Sequence, residues 1–283
     1  MQHRLSKKER DELPALYDNG MSCPKLAEQY GISQVAINGL LRRRGVKIRT
    51  QIEAQKKCQL NENVFDKMTP ESAYWIGFLF ADGTIVERSG RSPVLALVLA
   101  EKDKEHIYSF REFLGSSHKI LTVNYQKYYG YFSSQNGIRL AVSSARLVSA
   151  LKNVGFVKHL GSIAIKELAC SIHFWRGVVD GDGCIGVLSG NRAHHARLEL
   201  VGGFPLLSQF VEYIHNQIPL CKISVRPHRS IFKVGLSCKT ALQMIDILYT
   251  DTTISLSRKH NAAINILSLG LKTLGFAPGS RLL

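Results

Sequence analysis

Along the 283 residues the hydrophobic pattern changes character twice. Up to about residue 50, apolar positions recur at helical intervals in three short runs. From residue 69 onward, long apolar helices alternate with stretches in which apolar and polar residues take turns, the period of a half-buried strand. The first run extends from about Lys7 to Asn19, after Ser6, and Gly20 ends it. Pro24 opens the second, "PKLAEQY", in a first-turn position where its missing N–H costs nothing. In "GISQVAINGLLRRRGV", Gly31 gives a tight turn and Ser33 caps a third helix; Leu26, Ala27, Ile32, Val35, Ile37 and Leu40 supply apolar faces that pack together. Residues 51–68 are polar, lack a long apolar face and read as a linker.

Beyond residue 69 one pattern occurs twice. "YWIGFLFADGTI" (74–85) and "FWRGVVDGDGC" (174–184) share Trp75 and Trp175, Gly77 and Gly177, Asp82 and Asp182, and Gly83 and Gly183, each pair 100 residues apart. Asp and Gly by themselves are ordinary turn formers at a helix end, where glycine accepts a left-handed backbone. The common register makes this an internal duplication instead. Thr69 caps the first copy, with Pro70 at its first position. After each Asp-Gly the pattern alternates: two strands around Ser89-Gly90 in one copy, and two around Ser189-Gly190-Asn191 in the other. A helix, a further strand pair and a last helix complete each copy, the second strand pair falling in "CKISVRPHRSIFKVGLS" with one apolar and one basic face. The expected fold is therefore α+β: two α-β-β-α-β-β-α halves, 69–165 and 166–283, behind a small all-helical unit at 1–50.

Composition narrows the class. Lys and Arg number 37 against 22 Asp and Glu, a formal net charge of +15, which favours a polyanionic partner and nucleic acid first. Residues 1–50 hold 10 Lys and Arg against 5 Asp and Glu, hence +5 of that total. No apolar run approaches the ~20 residues that span a bilayer and no signal peptide is visible, so a cytoplasmic location is expected, with an organellar or phage-encoded origin left open. Six cysteines without a C-x-x-C pair indicate neither a zinc site nor a disulfide framework; they read as reduced, mostly buried thiols.

Residues 1–50 resemble helix-turn-helix DNA-binding modules. The resemblance implies that the third helix presents Ser33, Gln34 and Asn38 to the major groove, with Arg42, Arg43 and Arg44 near phosphates. The bland alternative is a helical bundle for protein contacts.

The stretches W-I-G-F-L-F-A-D-G and W-R-G-V-V-D-G-D-G, with their spacing and the alternation after them, resemble the paired motifs of single-chain LAGLIDADG homing endonucleases over roughly residues 69–265. The resemblance implies a monomeric saddle for double-stranded DNA with a long target site, its two motif helices meeting at Gly77 and Gly177. Asp82 and Asp182, with the carbonyls of Ala81 and Gly181, would then hold Mg²⁺ or Mn²⁺, because a divalent cation turns repulsion between close carboxylates into attraction. "ISLSRKH" is similar to a family segment that supplies a lysine, pointing to Lys259; the first half departs from it, leaving Lys158 as the nearest candidate. The implied DNA contacts of the sheets are Arg88, Lys119, Gln126, Lys127, Arg139, Arg192, Arg197, Lys222, Ser224, Arg226 and Lys233. Asp180 matches Phe80 and is expected at the helix end or behind the metal ligands, with no direct metal contact; Arg176 is expected at the surface or in an ion pair, and His173 at the surface. The competing reading keeps the scaffold without its chemistry, as a nuclease-dead transcriptional regulator or an RNA-splicing maturase.

Overall fold

The computed structural model describes residues 5–49, 58–124, 136–157, 159–189 and 194–273. It divides into two compact units, Met1–Gln59 and Leu60–Leu283.

The smaller unit contains α1 (Lys7–Asp18), α2 (Cys23–Tyr30) and α3 (Gln34–Arg43) around a core of Leu13, Tyr17, Leu26, Ile37 and Leu41. Each helix begins on a serine. Ser6 forms a reciprocal capping box with Glu9, Ser22 accepts the N–H of Lys25, and Ser33 accepts that of Ala36. Gly31 turns between α2 and α3 at φ 60°, as expected. Val35 departs from expectation: it is 80% exposed, and Leu41, one turn beyond Ile37, fills the core instead.

The larger unit holds both copies. The first runs α4 (Pro70–Asp82), β1 (Gly83–Arg88), β2 (Arg91–Ala100), a 3₁₀ turn (Glu101–Asp103), α5 (Lys104–Phe113), β3 (Leu121–Asn124), β4 (Asn136–Ser143) and α6 (Ala145–Asn153). A short α7 (Lys166–Ala169) leads into the second: α8 (Ile172–Asp182), β5 (Gly183–Ser189), β6 (His194–Gly202), α9 (Phe204–Gln217), β7 (Arg226–His228), β8 (Ile231–Ser237) and α10 (Cys238–Tyr249). A last helix, α11 (Ser257–Thr273), is not anticipated by the pattern. The sheets are antiparallel, ordered β1-β2-β4-β3 and β5-β6-β8-β7, so the duplication seen in the motif extends to topology. It extends to packing as well. Trp75 meets Phe110 with ring centroids 4.9 Å apart, and Trp175 meets Phe210, 100 residues on, at 4.9 Å.

The two halves join along α4 and α8. A β-carbon added to Gly77 would lie 2.0 Å from the carbonyl oxygen of Phe174, and one on Gly177 would lie 2.1 Å from that of Tyr74. Only glycine permits this reciprocal backbone contact. Gly83 and Gly183 end the helices for a different reason from the one expected: their φ angles are −73° and −81°, so no left-handed turn is present. A side chain at either would strike the carbonyl of Leu79 or Val179, at 2.4 and 2.5 Å, because each strand leaves directly over the helix's final turn.

Three local expectations need correction. The segment read as a linker to residue 68 contributes to the core from Leu60, with Phe65 buried beside Phe113; its polar neighbours hid one short apolar face. The strand expected from Lys222 is only Arg226–His228, although Ile223 and Val225 still pack on the core. The cysteines are not mostly buried: Cys23 is, whereas Cys170, Cys184 and Cys238 are exposed.

Replacing Gly177 with Leu should cost about 1–3 kcal/mol or more in overpacking, lowering the thermal midpoint by several degrees. Gly186→Ala, whose β-carbon meets nothing within 4 Å, is the matched control and should leave it unchanged. A melting scan of both variants checks the seam.

Candidate active site at the paired helix ends

Because α4 and α8 touch at their glycines and run side by side, their C-terminal ends emerge together. A β-carbon on Gly181 would lie 2.3 Å from that of Ala81 and 3.2 Å from Oδ2 of Asp82. Asp82 and Asp182 therefore occupy equivalent last positions of adjoining helices. Both face an unfavourable field, since a helix C-terminus carries partial negative charge. Burial raises the Asp82 carboxyl to about 7, helped by the charge of Asp182; burial raises the more exposed Asp182 to about 6, against the pull of Lys259.

Lys259 is buried beneath these ends. Its ammonium donates to the carbonyls of Val179 at 2.7 Å, Gly183 at 2.5 Å and Gly181 at 3.3 Å. One cation thus satisfies terminal carbonyls of α8 and supplies the charge that the aspartates lack. Burial lowers it to about 8, opposed by Asp180, Asp82 and Asp182.

Asp180 lies two residues before Asp182 and is fully buried. It accepts hydrogen bonds from the Tyr249 hydroxyl at 2.6 Å, the Leu256 N–H at 2.6 Å and the Tyr74 hydroxyl at 2.7 Å. Burial raises its carboxyl, and these three donors act in the opposite direction. Tyr74 spends its only proton on Asp180, so its oxygen accepts the Nε2–H of His106, 3.0 Å away. Burial holds that imidazole down at about 4, hence neutral.

Arg176 is a correction. Expected at the surface or in an ion pair, it is 2% exposed, with Nε donating to the carbonyl of Leu248 at 2.5 Å. A pattern reading missed the burial because it valued each residue alone. The pair was the available signal, since Arg176 and Asp180, one turn apart, replace Ile76 and Phe80 of the first copy.

The candidate DNA contacts are unevenly placed. In the small unit Gln34, Arg42 and Arg43 are exposed, Asn38 is half-buried, Ser33 spends its hydroxyl on the cap, and Arg44 pairs with Asp11 at 2.6 Å. In the first sheet Arg139 stands opposite Val98 and Leu121, on the face away from the core; Lys119 is exposed just before β3. In the second sheet Arg197 and Lys233 share Glu199, which takes up part of the basic charge expected there. Lys222, Ser224 and Arg226 are exposed. Lys158, Gln126, Lys127 and Arg192 lie outside the described residues, as does the Arg88 side chain.

Comparison with solved structures places this architecture. A mutant of I-SmaMI matches 74% of this chain and 92% of its own with a TM-score of 0.51 at 10% identity. Meganuclease I-SmaMI bound to uncleavable DNA with a TTCT central four matches with the same coverages, identity and TM-score. The chain has the LAGLIDADG endonuclease fold. At 10% identity the likeness is one of fold. No protein-family model and no curated protein sequence matches the chain. Within that fold the aspartates occupy the helix ends. Among the described residues no three His, Cys, Asp or Glu side chains cluster, and no helix is long and apolar enough to cross a membrane.

The charge states of these acids can be read from stability. Asp82 gains protons on folding, since its carboxyl rises from 3.8 to about 7. Its ionised form therefore destabilises the fold increasingly as pH rises from about 4 to 7. Without divalent ions, Asp82→Asn should melt higher than the parent chain at pH 8, and this advantage should vanish below pH 4. Asp180→Ala should melt lower than the parent chain, losing about 1–3 kcal/mol or more, because the Tyr74, Tyr249 and Leu256 donors stay buried without their acceptor. Melting curves across pH read both.

Proposed function

We propose that this protein is a site-specific double-strand DNA endonuclease, hydrolysing phosphodiesters at the paired helix ends. The observation that carries the reading is the junction itself: one aspartate from each half is delivered to a single point, between two sheets of like topology, beside a buried lysine. A structural neighbour is named as a meganuclease bound to DNA, and the net charge of +15 suits the same partner.

The donors fit a hard divalent cation. Two carboxylates at negative helix ends, each with its proton affinity raised, form a site short of positive charge. Asp82 and Asp182 would hold Mg²⁺ or Mn²⁺, assisted by the carbonyls of Ala81 and Gly181. When bound, the ion would supply Lewis acidity and neutralise phosphate charge. The chain's own residues do the rest. The glycine seam fixes the separation of the acids, Lys259 adds positive charge at the ends where a phosphorane would gain negative charge, and the outer sheet faces track the duplex on either side. Gly181 shares its carbonyl with Lys259, so the second half offers a more crowded oxygen set than the first.

We infer that the small unit is a helix-turn-helix extending the footprint. The exposed start of α3, with Gln34 and Val35 outward and Arg42 and Arg43 at its end, suits a groove-reading helix.

Purified protein with Mg²⁺ or Mn²⁺ should convert supercoiled plasmid carrying DNA from around its own gene into linear form, and chelator should stop it. Asp82→Asn and Asp182→Asn should each slow cleavage by orders of magnitude while preserving specific binding, since size is kept and the charge is lost. Full cleavage by Asp182→Asn defeats the catalytic assignment; specific binding by a wild-type chain that never cuts instead supports a regulator. Removing residues 1–59 should shorten the protected DNA and flatten the salt dependence of binding, because fewer counterions are released. Footprinting and salt titration of both forms measure this.

A further inference from the structure

The start of α11 is an unfavourable place for a helix to begin. Arg258, Lys259 and His260 fall in or beside its first turn, where no acidic residue accompanies them. The cationic Arg258 and Lys259 thus sit at the positive end of a 17-residue helix. The compensating charges come from elsewhere. Asp180 of α8 receives the N–H of Leu256, whose carbonyl in turn accepts the N–H groups of Lys259 at 2.8 Å and His260 at 3.0 Å. Asp103, in the other half, receives Nε of Arg258 on both carboxylate oxygens, at 3.0 and 3.1 Å.

Asp103 is the informative member. It occupies the N-cap of α5, where an aspartate ordinarily binds its own helix's free N–H groups, yet its side chain makes no capping bond. The carboxylate is only 8% exposed and is turned across to the second half. Its local role has been given up for a distant partner, the residue immediately before Lys259. His106, on the first turn of the same helix, reaches the same region through Tyr74 and Asp180.

We propose that Asp103 is a positioning residue of the first half that, through Arg258, holds the Lys259 ammonium at the paired helix ends. The two halves therefore do not furnish independent chemistries: an acid of one sets the place of the lysine of the other. This rests on the nuclease reading for its consequence in catalysis, but the clamp itself is a matter of structure.

The test separates the two. In the full chain, hydrogen exchange of the segment 254–262 should accelerate about tenfold or more in Asp103→Ala and in Arg258→Met, the loss expected for one charge-assisted bond, while α5 exchanges as before. Asp103→Glu should restore much of the protection. Plasmid cleavage by Asp103→Ala should slow by about 10- to 100-fold, the scale of a misplaced catalytic group, and the same change in a Lys259→Met background should cost nothing further. Faster exchange in α5 with 254–262 unaffected would show that Asp103 serves its own helix and would overturn the proposal, as would fully additive losses in the double variant. If the wild-type chain cuts no DNA, exchange alone decides the clamp, and only the nuclease reading falls.

Discussion

The whole larger unit depends on one steric allowance: two helix backbones touching where neither carries a side chain. Gly77 lies against the carbonyl of Phe174 and Gly177 against that of Tyr74, and each distance leaves no room for even a methyl group. At that separation the helix ends cannot avoid each other. Asp82 and Asp182 are neighbours because the contact five residues earlier makes them so, and each strand departs over the last turn of its own helix.

Such closeness carries an electrostatic cost. Burial raises the proton affinity of both carboxylates, and the charge of Asp182 raises that of Asp82 further. The chain offsets part of this with Lys259, which engages three carbonyls of one helix end. The compensation is one-sided, since the first copy has Phe80, packed on Phe156 and Phe174, where the second has Asp180 and its donors. A duplicated scaffold has thus acquired an apolar half and a polar half around a symmetric seam.

The symmetric features were legible in the sequence. Four identities at a spacing of 100 residues, with the same change of period after each, exposed the duplication, and with it the topology, the glycine contact and the paired acids. The asymmetric features were not. Arg176 looked like a surface or ion-pair residue because the acceptor that buries it, the Leu248 carbonyl, belongs to a helix about 70 residues further along the chain. Asp103 drew no attention because nothing local says that its carboxylate turns outward to Arg258. A helix at 257–273 was missed because its first turn is cationic and holds no acid, the negative charge coming instead from Asp103 and Asp180. Pattern reports what repeats; long-range polar bonds are what break the repeat.

That asymmetry also bears on which halves can pair. Tyr74 and Phe174 are equivalent residues, and Asp180 takes the Tyr74 hydroxyl across the seam. Were two second halves to meet, each Asp180 would face a phenylalanine and lose a donor while remaining buried, at about 1–3 kcal/mol for each unsatisfied group. Two first halves would meet without penalty from Phe80, but each Tyr74 hydroxyl would then face no carboxylate. Shape alone, with glycine against glycine, does not distinguish these arrangements from the observed one. The single Tyr74 to Asp180 bond does, so the polar network inside the seam specifies a first half joined to a second, the pairing that one continuous chain provides.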